Sequence, residues 1–275
     1  MQHFVIQLND YLGERKSPQQ PTLTAYIAHA SAEIRPDIQR KSIIICPGGA
    51  YCFCSEREAE PVALQYLARG YNAFVLNYSV APCQYPQQLC EILLSVALVR
   101  RNAEAWHCRK DAVAVMGFSA GGHLAASAGC LFDREEALVP IGVTPEEARP
   151  DAMLLCYPVI ASGEYAHRGS FDALIGERKE LLELVSLEKQ VRSCTPPAFL
   201  WHTADDNCVP VQNSLLFAQS MSAAGVPYAL HIYPHGAHGL SLCNGLTAAP
   251  QCPWAVEPGC ESWLELSLQW LEQVL

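Results

Sequence analysis

The 275-residue sequence has few positive charges and no long apolar run. It carries 18 Lys and Arg against 28 Asp and Glu, a formal net charge of −10 at pH 7. Nucleic-acid binders usually present a basic patch, so this balance speaks against a nucleic-acid partner. It also disfavours an anionic substrate, which the field of the protein would repel. Since no apolar stretch reaches the length that crosses a bilayer, we expect no membrane partner.

Motifs for zinc and for phosphate are missing as well. None of the 13 cysteines forms a Cys-x-x-Cys pair, and Cys52 and Cys54 are too close together for a zinc knuckle. Neither Gly-x-x-x-x-Gly-Lys-Ser/Thr nor Gly-x-Gly-x-x-Gly occurs. These absences speak against a zinc site and against a nucleotide-binding loop.

A secretory signal is not evident at the start of the chain. Residues 1–6 lack the charged start, apolar core and cleavage site of a signal peptide and instead predict a first strand. The cysteines are odd in number and are spread through predicted strands and helices, unlike a disulfide framework. We therefore expect a cytoplasmic protein with free thiols. The sequence leaves a homo-oligomer open.

Short β-type runs alternate with longer helical patterns along the chain. This order predicts an α/β fold with a mostly parallel, eight-stranded sheet that is covered by helices on both faces. Half of the residues are hydrophobic, which is enough to bury the core of one domain spanning residues 1–275. The first two strands predict an antiparallel hairpin at one sheet edge. The predicted strands are residues 4–7, 22–27, 41–46, 72–77, 112–116, 152–156, 198–202 and 228–233.

Two segments interrupt this alternation. Residues 160–194 contain an acidic run with a helical pattern at 177–191 and are too long for a simple crossover, which predicts a lid-like insertion. Residues 241–258 are rich in Pro, Gly and Ala and predict an irregular loop. The main helical patterns lie at residues 58–69, 88–105, 122–130, 211–224 and 261–275.

A serine stands in a Gly-x-Ser-x-Gly motif between a predicted strand and a predicted helix. The motif is Gly117-Phe118-Ser119-Ala120-Gly121. On a sharp strand-to-helix turn a neighbouring side chain would collide, so glycines flank the serine. The turn projects the hydroxyl above the sheet, and the helix N-terminus favours developing negative charge. Ser119 is therefore the predicted nucleophile, and a phosphate-binding turn is the alternative.

The oxyanion of an acyl-transfer intermediate needs backbone donors. One is predicted at Ala120, directly after the serine, and others in the loop after the third strand, which reads Pro-Gly-Gly-Ala-Tyr at residues 47–51. Small residues let the amide groups approach a substrate. We predict Gly49 and Ala50 as donors, with Gly48 shaping the turn; an ordinary Pro-Gly turn is the alternative.

An acid and a base follow the serine in the order that this kind of hydrolase uses. Asp206 lies on the loop after a late strand and is the predicted acid, with Asp205 as the alternative. His238 lies on a glycine-flanked loop after the last strand and is the predicted base, with His235 as the alternative. His202, at the end of a strand, is expected to be a packed residue.

The motifs together resemble bacterial α/β-hydrolases related to acetyl-xylan and feruloyl esterases. The resemblance implies the α/β-hydrolase fold and a serine esterase, with neither metal nor organic cofactor, that removes small acyl groups, typically acetyl, from sugar hydroxyls. It carries the family's Ser, Asp and His to Ser119, Asp206 and His238. Ala50 departs from the family's glycine but keeps its backbone donor. The resemblance rests on residues 47–51, 117–123, 195–206, 209–214 and 233–240.

Three further residues are candidates for contact with an acylated sugar. They are Tyr51 at the end of the oxyanion loop, His123 four residues after the nucleophile, and Trp254 in the irregular loop. Aromatic rings stack on sugar faces, but packing is the alternative for Trp254 and is favoured for His123.

Two other functions compete with an esterase acting on small esters. A peptidase of the prolyl-oligopeptidase type has the same triad order but usually carries a large extra domain, for which 275 residues leave no room. A catalytically inactive binding relative is the other alternative, and the intact Ser, Asp and His set argues against it.

Overall fold

One eight-stranded sheet runs through the computed structural model, which describes all 275 residues. Its spatial order is β1-β2-β4-β3-β5-β6-β7-β8. β2 pairs antiparallel with β1 and with β4, and every other pair is parallel. The predicted α/β class with a mostly parallel sheet is confirmed. The strands are β1 (Gln2–Gln7), β2 (Thr22–Ile27), β3 (Arg40–Cys46), β4 (Asn72–Asn77), β5 (Cys108–Phe118), β6 (Ala152–Cys156), β7 (Ala198–Thr203) and β8 (Tyr228–Tyr233).

The central strands are apolar on both sides because helices cover both faces of the sheet. In β3, Ile43 and Ile45 face one core cluster and Ile44 faces the other. Side chains alternate across a strand, so a strand buried on both faces needs an unbroken apolar run. The first cluster, which contains Ile44, is the larger and holds 54 buried residues; the second holds 26.

The helices divide between the two faces. α1 and α8 contribute to the smaller cluster, whereas α2, α3 and α7 contribute to the larger. No helix combines the length and the apolar character that spanning a membrane requires. The helices are α1 (Glu60–Ala68), α2 (Gln87–Arg101), α3 (Ala120–Cys130), α4 (Glu135–Leu138), α5 (Pro145–Ala148), α6 (Arg168–Ile175), α7 (Gln212–Ala223) and α8 (Ser262–Val274).

The strand-to-helix junction around residue 119 differs from the predicted bounds. β5 extends to Phe118, and α3 begins at Ala120 instead of residue 122. A single residue, Ser119, therefore makes the whole turn. The first free amide group of α3 consequently lies next to the serine hydroxyl rather than a half-turn away.

The helix predicted at residues 177–191 is wrong. The insertion instead forms α6 earlier in the chain and two single 3-10 turns at Lys179–Leu181 and Leu187–Lys189. Tertiary hydrogen bonds override the helical propensity of the acidic run. The backbone N–H of Leu187 donates to the carbonyl of Ile160 at 3.1 Å, and the carbonyl of Val185 bonds the ring of His123.

The insertion is anchored to the rest of the protein by its apolar side chains. Phe171, Leu174 and Ile175 of α6 belong to the larger core cluster. Val185 and Leu187 join the same cluster from the second half of the segment. Both halves of the segment therefore pack on the larger core cluster.

Candidate active site

Ser119 lies on a strained turn at the carboxyl end of β5. Its backbone has φ 54° and ψ −117°, a conformation that residues with a side chain rarely adopt. The flanking glycines make the turn possible. A Cβ on Gly117 would overlap the carbonyl of Gly121, and a Cβ on Gly121 would overlap the carbonyl of Cys46. The turn therefore places the Ser119 hydroxyl beyond the end of β5, at the N-terminus of α3.

The structure brings Ser119, His238 and Asp206 into one hydrogen-bonded line. The Ser119 hydroxyl lies 2.8 Å from Nε2 of His238, and Nδ1 of the same ring lies 2.7 Å from Oδ2 of Asp206. A carboxylate only accepts, so Nδ1 carries the proton and Nε2 is free to accept from the serine. This is the arrangement in which an imidazole can act as a general base.

Asp206 is buried and fully hydrogen-bonded. Its side chain is 1% exposed, and Oδ1 accepts from the backbone N–H groups of Cys208 and Val209 at 2.9 Å each. Burial acts to raise the pKa of Asp206, but hydrogen bonds from His202 and His238 and the charge of His238 outweigh it and hold the pKa well below its usual range. Asp206 therefore stays a carboxylate at neutral pH.

His202 supports Asp206 from inside the protein. The ring is buried, with Nε2 donating to the carbonyl of Val209 at 2.9 Å and Nδ1 accepting from the hydroxyl of Ser214 at 2.8 Å. Nε2 also lies 3.4 Å from Oδ2 of Asp206. The structure thus places His202 behind the carboxylate, as expected of a packed residue.

The two alternatives from the sequence form a second pair at the surface. Oδ2 of Asp205 lies 3.0 Å from Nδ1 of His235, and both side chains are largely exposed. Asp205 also accepts from the backbone N–H of Gly236 at 2.8 Å. Neither Asp205 nor His235 lines the cavity that contains Ser119.

Three backbone amides near Ser119 have no acceptor within the protein. They belong to Gly49, Ala50 and Ala120, the predicted oxyanion donors. Gly49 has φ 134° and Ala50 has φ 55°, so the loop turns sharply at both residues. A side chain on Gly48 would contact the Cβ of Ser119, which shows how closely the loop approaches the serine. The geometry leaves the three donors available to a bound substrate.

Ser119 and His238 open into a cavity of about 240 Å³. His167 from the insertion and Cys208 from the loop after Asp206 line it, and sequence reasoning named neither for the site. Burial lowers the pKa of His167, and the nearby charge of His238 lowers it further. The remaining lining residues are Gly49, Ala50, Phe53, Ser55, Arg57, Glu58 and Gly239.

The predicted substrate contacts of Tyr51 and His123 have no support from the structure, and for His123 it agrees with the packed role that the sequence favoured. Both side chains are 1% exposed, and neither lines the cavity. The hydroxyl of Tyr51 bonds Nδ1 of His123 at 2.8 Å, and Nε2 of His123 bonds the carbonyl of Val185 at 2.8 Å. Burial lowers the pKa of His123 to about 4, so the ring is neutral. The two residues thus connect the loop at residues 47–51, α3 and the insertion.

Trp254 also falls outside the site. It lies in a 3-10 turn at Pro253–Ala255, and its side chain is half exposed. It lines neither the cavity of Ser119 nor the larger cleft of about 460 Å³ beside it. That cleft shares Arg57 with the cavity but contains no residue of the hydrogen-bonded line. The predicted substrate contact of Trp254 therefore has no support from the structure.

Glu58 is a buried acid that the sequence did not single out. It lines the cavity, and its two oxygens accept from the backbone N–H of Gly48 at 2.8 Å and from the hydroxyl of Tyr157 at 2.7 Å. No spacing rule distinguishes Glu58 from its charged neighbours. The segment 56–60 also contains Glu56, Arg57 and Glu60, and Arg69 follows. Only the fold shows that Glu58 points inward.

The curated relatives of this chain are polysaccharide-degrading enzymes and esterases. An endo-1,4-beta-xylanase B of Butyrivibrio fibrisolvens is 37% identical over 86% of this chain and 37% of its own length. An acetylxylan esterase of Xylanibacter ruminicola is 31% identical over 74% of this chain and 41% of its own length. This chain thus spans about two fifths of the length of these two relatives.

Solved structures match the chain over nearly their whole length. An acetyl ester-xyloside bifunctional hydrolase from Caldicellulosiruptor lactoaceticus has a TM-score of 0.83 at 38% identity, covering 98% of this chain and 96% of its own. A carboxylesterase from Lactobacillus plantarum has a TM-score of 0.87 at 28% identity, covering 99% and 98%. The BD-FAE family model matches residues 35–221, well over half of the chain. The chain therefore belongs to the BD-FAE family and has the α/β-hydrolase fold.

Proposed function

We propose that this chain is a serine esterase that removes small acyl groups, acetyl foremost, from sugar hydroxyls. The observation that carries the proposal is the line from Ser119 through His238 to Asp206, with hydrogen bonds of 2.8 and 2.7 Å. Free amides of Gly49, Ala50 and Ala120 beside the serine support it. A nucleophile, a base, an orienting acid and an anion site are the parts that acyl transfer needs.

The reaction follows from this geometry in two halves. The Ser119 hydroxyl gives its proton to Nε2 of His238 while Oγ bonds the ester carbonyl carbon, and the oxyanion forms against the free amides. The carbon–oxygen bond to the alcohol then breaks, and the alcohol leaves with the proton from His238. Water repeats the sequence on the acyl-enzyme, which releases the carboxylic acid and restores Ser119.

The anion site lowers the barrier more than any other single part. A preorganised donor typically contributes about 3 kcal/mol to the stability of such a transition state. The N-terminus of α3 adds its dipole at the same point, because the helix begins directly after Ser119. Glycine-permitted backbone turns hold these donors in place before the substrate arrives.

The size of the cavity favours a small acyl group. A space of about 240 Å³ lies below the range of about 300–1,000 Å³ that holds drug-sized ligands. The adjoining cleft, lined by Glu56, Glu60 and Leu246 among others, gives room for the alcohol part of the ester. The names of two relatives, an acetylxylan esterase and an acetyl ester-xyloside hydrolase, agree with an acetylated sugar.

We also propose that the chain works as one domain in a reducing compartment such as the cytoplasm. All eight strands share one sheet, and the insertion at residues 160–194 joins its core. All 13 cysteines are unpaired, and Cys52, Cys194 and Cys208 are exposed. Exposed thiols are best preserved where glutathione keeps them reduced.

The substrate is tested with p-nitrophenyl esters of increasing chain length, run beside acetylated xylo-oligosaccharides. We expect the highest kcat/KM for acetate, a steep fall beyond four carbons because the cavity is small, and release of acetate from the sugar. A preference for long acyl chains, or no release from the sugar, would contradict the proposed substrate. Hydrolysis of proline-containing peptides instead would support the peptidase alternative.

A further inference from the structure

The proposed triad leaves one buried acid at the site without a role. We propose that Glu58 is a positioning residue for the reaction: its carboxylate holds the oxyanion loop through Gly48 and holds the face of His238 through Tyr157. The inference rests on the proposed esterase function. Glu58 is 3% exposed, lies in the turn just before α1 and lines the cavity with Ser119.

The first contact sets the oxyanion loop. Oε2 of Glu58 accepts from the N–H of Gly48, one residue before the free amide of Gly49. This bond fixes the plane of the peptide unit that enters the turn. Without it the strained backbone at Gly49 and Ala50 would have one fewer restraint, and the donors would lose their aim at the oxyanion.

The second contact reaches His238. Oε1 of Glu58 accepts from the hydroxyl of Tyr157, whose oxygen accepts in turn from the backbone N–H of Ser241. The Tyr157 ring packs edge-on against the His238 ring, with centroids 5.1 Å apart and planes at 70°. One carboxylate therefore restrains both the anion site and the base.

Both oxygens of Glu58 meet donors, which is the pattern that an ionised carboxylate satisfies. Burial raises the pKa of Glu58 above its ordinary value, and the hydrogen bonds from Tyr157 and Gly48 offset only part of that rise.

The charged and titratable groups around this pair come from several elements. Around Glu58 stand Arg57, Tyr78, Cys156, Tyr157 and His238, and around His238 stand Glu58, His167 and Asp206. Burial raises the pKa of Tyr78, Cys156 and Tyr157 far above neutrality, so these groups carry no charge there. Among these neighbours, Glu58 and Asp206 are the two carboxyl groups close to His238.

Glu58→Gln tests this role because glutamine keeps the shape but offers only one acceptor. The glutamine NH₂ group, which is a donor, must take the place of one of the two accepting oxygens. It therefore faces either the Gly48 N–H or the Tyr157 hydroxyl, and that hydrogen bond to Glu58 is lost. We expect kcat for p-nitrophenyl acetate to fall about 10- to 100-fold with KM changed less than about threefold. A fall in kcat with little change in KM is the signature of lost positioning in the transition state, whereas a purely structural defect would lower the amount of active enzyme.

Tyr157→Phe separates the two contacts. It removes the hydroxyl that Glu58 holds beside His238 but keeps the hydrogen bond from Gly48 N–H to Glu58, so kcat should fall by a smaller factor than in Glu58→Gln, again with little change in KM. In the double variant Glu58→Gln/Tyr157→Phe the losses should be less than additive, because both act through one contact. The single variant Tyr157→Phe decides the matter if Glu58→Gln fails to fold.

Glu91→Gln is the matched control. Glu91 in α2 is equally buried and accepts from a backbone N–H and a hydroxyl, both of Ser79, but it does not line the cavity. Its variant should keep the wild-type kcat and KM. Wild-type kcat in Glu58→Gln or Tyr157→Phe, or a loss that appears in KM and not in kcat, would overturn the inference. A wild-type protein without esterase activity would instead overturn the proposed function.

Discussion

Two His–Asp pairs lie side by side on the same two loops, one buried and one exposed. Asp206 and His238 form the inner pair at 2.7 Å, and Asp205 and His235 form the outer pair at 3.0 Å. The aspartates are neighbours in sequence. Yet the inner carboxyl is 1% exposed, whereas the outer one is 52% exposed.

The difference shows that environment, more than residue type, separates the two pairs. Asp206 accepts from two backbone amides and lies against His202, so its charge is held in a fixed direction. The outer pair is surrounded by water, which screens such interactions and leaves them worth about 0–1 kcal/mol. Only the inner pair also reaches the hydroxyl of Ser119.

Replacing the carboxylate of Asp206 or of Asp205 by an amide should give the largest difference between the two pairs. Asp206→Asn should lower kcat for p-nitrophenyl acetate by about 10⁴-fold, because an amide no longer holds Nδ1–H and the ring loses its correct tautomer. Asp205→Asn should stay within about fivefold of wild type, because its partner is exposed. Steady-state kinetics of the two purified variants check the prediction.

Two outcomes of this pair of variants would contradict the expected difference. Equal losses of kcat in Asp206→Asn and Asp205→Asn would mean that burial does not determine which of the two aspartates supports the reaction. A larger loss in Asp205→Asn would assign the acid to the alternative residue. Near-ultraviolet circular dichroism of both variants would show whether the fold is retained.

Acid stability gives a smaller effect that sharpens the same comparison. The pKa of Asp206 is lowered in the folded chain, so its charge stabilises the fold above the unfolded value of about 3.9, and this contribution is lost as the pH falls toward the folded value. We expect the free energy of unfolding of wild type to exceed that of Asp206→Asn by about 2 kcal/mol at pH 7. The gap should shrink below about pH 4.

Urea unfolding of wild type and variant at pH 7, 5, 4 and 3 measures this gap, in which the contributions of all other groups cancel. Asp205→Asn is the control, and its gap should be smaller at each pH because water surrounds that carboxyl. A gap for Asp206→Asn that stays constant from pH 7 to pH 3 would show that its charge does not stabilise the fold.

Much of the fold could be predicted because its signals are local. The apolar runs of the parallel strands and the glycines around Ser119 report constraints that act within a few residues. The eight predicted strands all occur, with bounds that shift by a few residues in β1 and β5. The helix predicted at 177–191 failed because bonds from Ile160 and His123, distant in sequence, hold that segment in another form.

The candidate site also has a part that the sequence could predict and a part that it could not. Order along the chain was enough to choose three side chains that the structure brings within hydrogen-bond distance, and their catalytic role remains a prediction. The sequence could not show that Tyr51 and His123 face inward to each other, or that Glu58 reaches Gly48 across ten residues. Such contacts depend on which way a loop turns, and no periodic pattern records that.

The central claim is that Ser119 is the nucleophile that His238 activates. Incubation with a fluorophosphonate followed by intact and peptide mass spectrometry tests it most directly, beside Ser119→Ala as the control. The account predicts one label per chain on the peptide that contains Ser119, no label in Ser119→Ala, and no turnover of p-nitrophenyl acetate by that variant. A label on another residue, or undiminished hydrolysis by Ser119→Ala, would contradict it.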